Sequence, residues 1–131
     1  MKSERRERYY NRTVTECIEQ FVGELPSDAV GLWQILPMAR EGFGFEGVEQ
    51  IDFIRTAIKA LLEAGAIPVR YGGRTHDWVQ QHQYGKSIDE IAQSVIEEWA
   101  SYGDMKFDEI KVYGEAVWFA RPRADPRYIR E

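Results

Sequence analysis

Two histidines, one cysteine and a surplus of carboxylates are the residues of this chain whose chemistry could be catalytic or metal-binding. His76 and His82 bracket the segment THDWVQQH, with Asp77 beside the first. A histidine metal site wants imidazoles three or four residues apart on a helix, or on neighbouring strands with a third ligand fixed close by. A spacing of six at the end of a hairpin supplies neither, so no metal site is expected. Cys17 is the only cysteine, which excludes an internal disulfide and any thiolate cluster. It lies between Glu16 and Ile18 with no identifiable base to activate it, and reads as a small buried hydrophobe.

The carboxylate pairs Glu97-Glu98 and Asp108-Glu109 are adjacent in sequence. Neighbouring positions on a helix diverge, so neither pair is preset for shared-site acid–base work. The glycines of EGFGFEG, residues 41–47, follow no strand, and Glu41 and Glu46 would repel a phosphate. No nucleophile–base pair, metal set or phosphate loop results. The expectation is a non-enzymatic protein without cofactor.

The elements that position these residues can be read from periodicity. Val14, Cys17, Ile18, Phe21 and Val22 fall on one helical face, starting from Asn11 or Thr13 and ending at Gly23 and Pro26. Ser27 and Asp28 could cap a second helix carrying Val30, Leu32, Trp33, Ile35 and Leu36, which Pro37 should kink or end. Ile51, Ile54, Ile58, Leu61 and Leu62 stripe a third helix over about residues 46–64, closed by Gly65. Ile67 to Tyr71, the turn Gly72-Gly73, and Arg74 to Val79 predict a hairpin. Ser87 and Glu90 make a capping box for a last helix with Ile88, Ile91, Val95, Ile96 and Trp99 inward, ending at Gly103. Ile110 to Tyr113 and Ala116 to Ala120, split by Gly114-Glu115, predict a second hairpin or a single irregular strand.

The expected fold is therefore α+β in a single domain over residues 1–131, winged-helix-like, with four helices and one or two short antiparallel β-hairpins. Residues 1–10 and 122–131, polar and interrupted by proline near the C-terminus, are expected to be flexible tails. No apolar run approaches the roughly 18 residues of a membrane span, and no apolar stretch follows the charged start as in a signal peptide. A cytoplasmic location is expected.

Charge is unevenly distributed. Residues 1–8 and 121–131 each carry four basic and two acidic residues, whereas residues 9–120 hold nine basic against eighteen acidic. An acidic body repels phosphate and attracts basic protein surfaces. The third helix, which a winged-helix regulator would offer to the major groove, sets Arg55 and Lys59 against Glu46, Glu49, Asp52 and Glu63. Arg70, Arg74 and the basic ends offset this only in part, so nucleic-acid binding is disfavoured and a DNA-binding regulator is the alternative function. Trp78, in the polar context of His76 and Asp77, could anchor an interface, whereas Trp33 and Trp99 read as core.

GLWQI at residues 31–35, IDEIAQSVIEEWASYG at residues 88–103 and VWFA at residues 117–120 resemble small bacterial proteins encoded beside polymorphic or contact-dependent growth-inhibition toxins, whose immunity proteins have this general look. The resemblance spans about residues 13–120 and rests mostly on core aromatics, so it brings no catalytic residues. It implies a protein that neutralises a cognate toxin, and the acidic body suits a basic, nuclease-like one. The expected partner-binding residues are Glu46, Glu49 and Asp52 on the third helix with Arg74, His76, Asp77 and Trp78 at the hairpin.

Overall fold

A computed structural model describes residues 5–72, 78–101, 117–122 and 129–130. Helix α1, Val14–Glu24, begins at a reciprocal cap in which the Thr13 hydroxyl accepts the Glu16 amide and the Glu16 carboxylate accepts the Thr13 amide. It buries Val14, Cys17, Ile18 and Phe21 at the predicted three-and-four spacing.

The second helix differs from expectation at both ends. Val30 and Gly31 form strand β1 rather than the helix's first turn, and α2 runs Leu32–Pro37. Asp28 turns its carboxylate to the neighbouring Ala29 amide, at 2.7 Å, and Gln34 reaches back to the Gly31 amide instead. Tertiary pairing of β1 outweighs the local capping preference of Ser27 and Asp28. Pro37 is the last residue of α2, and the chain continues as a wide π-helical turn, Met38–Gly42. Phe43 then donates to the Met38 carbonyl and Phe45 to that of Ala39.

Helix α3, Gly47–Glu63, is the centre of the molecule, with Phe53, Ile54, Ala57, Ile58 and Leu61 fully buried. Gly65 ends it in the left-handed region, φ 97°, so that its own amide reaches the Leu62 carbonyl and that of Ala66 reaches Leu61. Strand β2, Ile67–Tyr71, follows at once and pairs antiparallel with β3, Trp78–Gln80, but the register sets Tyr71 opposite Trp78, so the connection spans residues 72–77 and is not the expected two-residue turn at Gly72-Gly73 with a strand returning from Arg74. Helix α4, Ile88–Ser101, opens on the predicted Ser87–Glu90 box. Strand β4 is Trp118–Ala120. It inserts between β1 and β2, antiparallel to both. Ile110 to Tyr113, the proposed first arm of a second hairpin, lies outside the described residues.

The result is an α+β fold. Its sheet has the order β1-β4-β2-β3-β5, antiparallel across the first four strands, with β5, Ile129–Arg130, parallel to β3. Val30, Val117 and Phe119 join the main core beneath α1, α2, α3 and α4. A second, smaller cluster of Ala29, Val69 and Ala120, flanked by Ile67, Trp78, Trp118 and Ile129, occupies the opposite face of the sheet.

Both chain ends make contacts that their polar composition did not announce. Beyond the β5 pairing, residues 5–13 form a strap across the π-helical turn. The Arg8 amide donates to the Gly42 carbonyl, Arg5 donates to the Phe43 carbonyl and lies over the Phe45 ring, and Arg6 bridges to Thr13. Glu7 holds the strap in shape. Its carboxylate, fully buried, accepts the amides of Tyr9, Tyr10 and Arg12 and faces the Arg12 guanidinium at 3.6 Å.

Burial pushes the Glu7 carboxyl up, but the amides of Arg12, Tyr10 and Tyr9 and then the Arg12 charge outweigh it and hold it below its ordinary 4.5. The stability it contributes is present above that value and lost as pH falls through the lower, folded one. Glu7→Gln should therefore lower stability by about 1–3 kcal/mol at neutral pH, and the gap from wild type should close in acid. Urea unfolding between pH 7 and pH 3 measures this, and a gap that stays constant with pH would contradict it.

Candidate protein-binding surface

Helices α3 and α4 pack side by side and antiparallel. Lys59 meets Asp89 at 3.0 Å, and one turn back along α3 Arg55 donates to Gln93 on the next turn of α4, also at 3.0 Å. That register sets Glu97 level with Ile51 and Asp52. The two helices share an outward ridge on which Glu46, Glu49, Asp52, Glu63, Asp89, Glu90 and Glu97 are exposed or half-exposed. Arg55 and Lys59 are the basic residues of the two helices, and each lies against a carboxylate, Asp52 at 3.7 Å and Asp89. Such exposed pairs contribute roughly 0–1 kcal/mol each, and they offset only two of the seven carboxylates, so the ridge stays negative.

Glu46 precedes the first turn of α3 with an extended backbone and no side-chain cap bond, leaving its carboxylate in solvent. Val48 beside it is 74% exposed, an uncharged spot amid acids. One oxygen of Glu49 is shut off from solvent without a hydrogen-bond partner, as is the Gln50 amide nitrogen next to it. The α4 contribution, Asp89, Glu90 and Glu97, was missed in the sequence because the antiparallel register of two helices separated by a hairpin is a tertiary property. The Glu98 carboxylate turns away from the ridge to accept both Arg70 and the Tyr84 hydroxyl, tying β2 and the loop before α4 together. Burial, and next the Arg70 and Glu98 hydrogen bonds, act on Tyr84 with a net upward push, so its hydroxyl stays protonated as a structural donor.

Trp78 stands elsewhere. Residues directly opposite in paired strands share a face, and the pairs Gly31–Trp118, Val69–Trp118, Tyr71–Trp78 and Trp78–Ile129 define the face turned away from the helices. An aromatic row crosses it: Trp33 against Trp118 at 5.5 Å, Trp118 against Trp78 at 5.2 Å, and Trp78 against Tyr71 at 5.8 Å. The structure thus brings Glu46, Glu49 and Asp52 onto one surface and puts Trp78 on another. Arg74, His76 and Asp77 lie outside the described residues. Trp33 belongs with this row rather than with the main core, whereas Trp99 packs on that core beneath the Arg40 guanidinium.

No family model, curated protein or solved structure matches the chain. Cys17 is buried, and burial pushes its thiol up, away from the reactive thiolate. Among the described residues no cluster of His, Cys, Asp and Glu has the composition of a metal site.

The aromatic row can be tested at Gly31. Its backbone is extended, φ −108°, ψ 161°, and tolerates any residue, but a Cβ there would stand 2.7 Å from Trp33 and 2.9 Å from Trp118. Both indoles must shift, so Gly31→Ala should cost about 1–2 kcal/mol net of the chain-entropy gain. Near-UV circular dichroism should change with it. An unaltered spectrum with an unaltered or raised unfolding midpoint would mean that the indoles do not pack as described.

Proposed function

We propose that this protein is a non-enzymatic binding module of the immunity or antitoxin kind, which neutralises a basic, nuclease-like toxin by covering its surface with the acidic α3–α4 ridge. The observation that carries this reading is the ridge itself. Seven exposed or half-exposed carboxylates line the two helices, with Glu46, Glu49 and Asp52 close in sequence to the uncharged Val48, while the basic residues of the two helices already lie against acids. Charged surfaces of this kind raise association rates with oppositely charged partners and need no reactive group. A nuclease carries a cationic substrate cleft by necessity, which is the surface such a ridge complements. Action in the cytoplasm accords with this reading; among the described residues no helix is long and apolar enough to cross a membrane.

One structural feature favours a second reading, a winged-helix regulator. The order α1-β1-α2-α3-β2, with β1 and β2 on either side of a later strand, is the arrangement expected of a winged helix whose sheet closes through β4. In that reading β3 and α4 are an insertion into the wing. The ridge opposes DNA contact, since α3 would bring Glu46, Glu49 and Asp52 to the phosphates. Weak, steeply salt-dependent binding to duplex DNA would support this alternative.

Mixing the purified protein with the product of the gene adjacent to its own tests the immunity reading. A stable complex that protects cells or substrate is expected. The combined substitutions Glu46→Lys, Glu49→Lys and Glu97→Lys should slow association by about 10- to 100-fold and flatten its salt dependence. Glu19→Lys, a single reversal on the exposed side of α1, should have no effect, whereas Glu46→Lys alone should already slow association. Equal effects of the ridge and control variants, or absence of any complex, would overturn the assignment.

A further inference from the structure

The strap that crosses the π-helical turn presents a cationic, aromatic surface independent of the ridge. Residues 5–12 read RRERYYNR, four arginines and two tyrosines with a single acid. That acid, Glu7, is buried, and three backbone amides and Arg12 satisfy it, so it offers no negative charge to solvent. The amides it accepts and the Asn11 amide on its carbonyl fix a tight turn, which Asn11 completes in the left-handed region, φ 59°. At the tip, Tyr10 is 74% and Tyr9 52% exposed. Arg12 lies over the Tyr10 ring at 4.8 Å and Arg8 over the Tyr9 ring at 5.8 Å.

Of the arginines, Arg6 faces Glu16 at 3.6 Å and Arg12 faces Glu7, whereas Arg8 is exposed and makes no ion pair among the described residues. Glu41 accepts the Tyr9 hydroxyl at 3.4 Å and is the other acid at the tip; Arg40, its neighbour, stands over Trp99. Ordered tyrosines at this exposure have no role in the core. A ring backed on one face by a guanidinium and open on the other matches the platform on which an unpaired base stacks, with neighbouring arginines for the phosphates.

We propose that the turn of residues 8–12 binds single-stranded nucleic acid, with a base stacked on Tyr10 and the backbone against Arg8 and its neighbours. Sequence preference is weak, because every base offers a π-face. Duplex, whose bases are already stacked, binds more weakly.

Fluorescence anisotropy of the full chain with a labelled single-stranded oligonucleotide of mixed sequence tests this, read at about 50 and about 200 mM salt. Binding should fall with salt at a log–log slope of roughly −2 for three phosphate contacts, and Arg8→Glu should make that slope shallower by roughly 0.7. Tyr10→Ala should weaken binding about 5- to 150-fold, while Tyr10→Phe, which keeps the stacking face, should stay within about two-fold of wild type. Circular dichroism checks that these exposed substitutions leave the fold intact. Absence of binding at micromolar protein overturns the proposal, as does equal affinity for duplex. Equal affinity for a polyglutamate peptide would identify an acidic-protein site instead, and an unchanged Tyr10→Ala affinity would remove the stacking step. The ridge variants Glu46→Lys and Glu49→Lys lie off the strap, so a loss confined to the strap variants separates this site from the toxin-binding reading.

Discussion

Burial of one whole stripe of α3 is the constraint on which the structure depends. Phe53, Ile54, Ala57, Ile58 and Leu61 have no contact with solvent. Each of the four larger side chains contributes about 1.5–3 kcal/mol relative to exposure. The helix packs against α1, α2, the π-helical turn and α4. With that stripe committed inward, the opposite side of α3 must carry its charges to the surface, and the antiparallel seat of α4 doubles their density. The acidic ridge is thus a geometric result of how the core is filled.

A second constraint acts at the other end of α3. Phe43, Phe45 and Phe53 stack and tilt against one another with centroids 5.0–5.9 Å apart. The π-helical turn delivers the first two to the third. That turn leaves carbonyls pointing outward, and the strap satisfies two of them, those of Gly42 and Phe43. A buried carboxylate then keeps the strap folded. Cationic strap and acidic ridge are consequently fixed to the same framework, and the molecule is electrically polarised although its net charge is only −5.

Much of this was legible in the residues. The stripes of α1, α3 and α4, the cap at Ser87 and the stop at Gly65 follow from local periodicity and local hydrogen bonding, and they occur where those rules put them, whereas the β2–β3 pair was legible as a pair but not in its register, which sets Tyr71 opposite Trp78. What was not legible depends on distant partners. Val30 and Gly31 look helical until β4 is present to pair with them. Glu7 looks like one more surface charge until the chain curls its own amides onto it. Trp33 and Trp118 look like ordinary core aromatics, and only the strand register of Trp118 and the contact of Trp33 with it show that they line the far face of the sheet beside Trp78. Of the candidate site, the α3 acids were visible as an excess of charge on a polar helical face, whereas the α4 acids and the separation of Trp78 required the packing.

The position of β4 also governs the order in which the molecule can be assembled. Strands β1 and β2, residues 30–31 and 67–71, lie on either side of it and do not touch one another in the sheet. A ribosome therefore releases α1, α2 and α3, whose contacts are nearer in sequence, long before the strand that joins the two halves of the sheet exists. Long-range pairing of this kind closes late, because its loop entropy must be met first. Until residues 118–120 emerge, the nascent chain is a helical cluster with β1 unpaired and one edge of the β2–β3 pair open, and that interval is when it is most exposed to pairing with another chain.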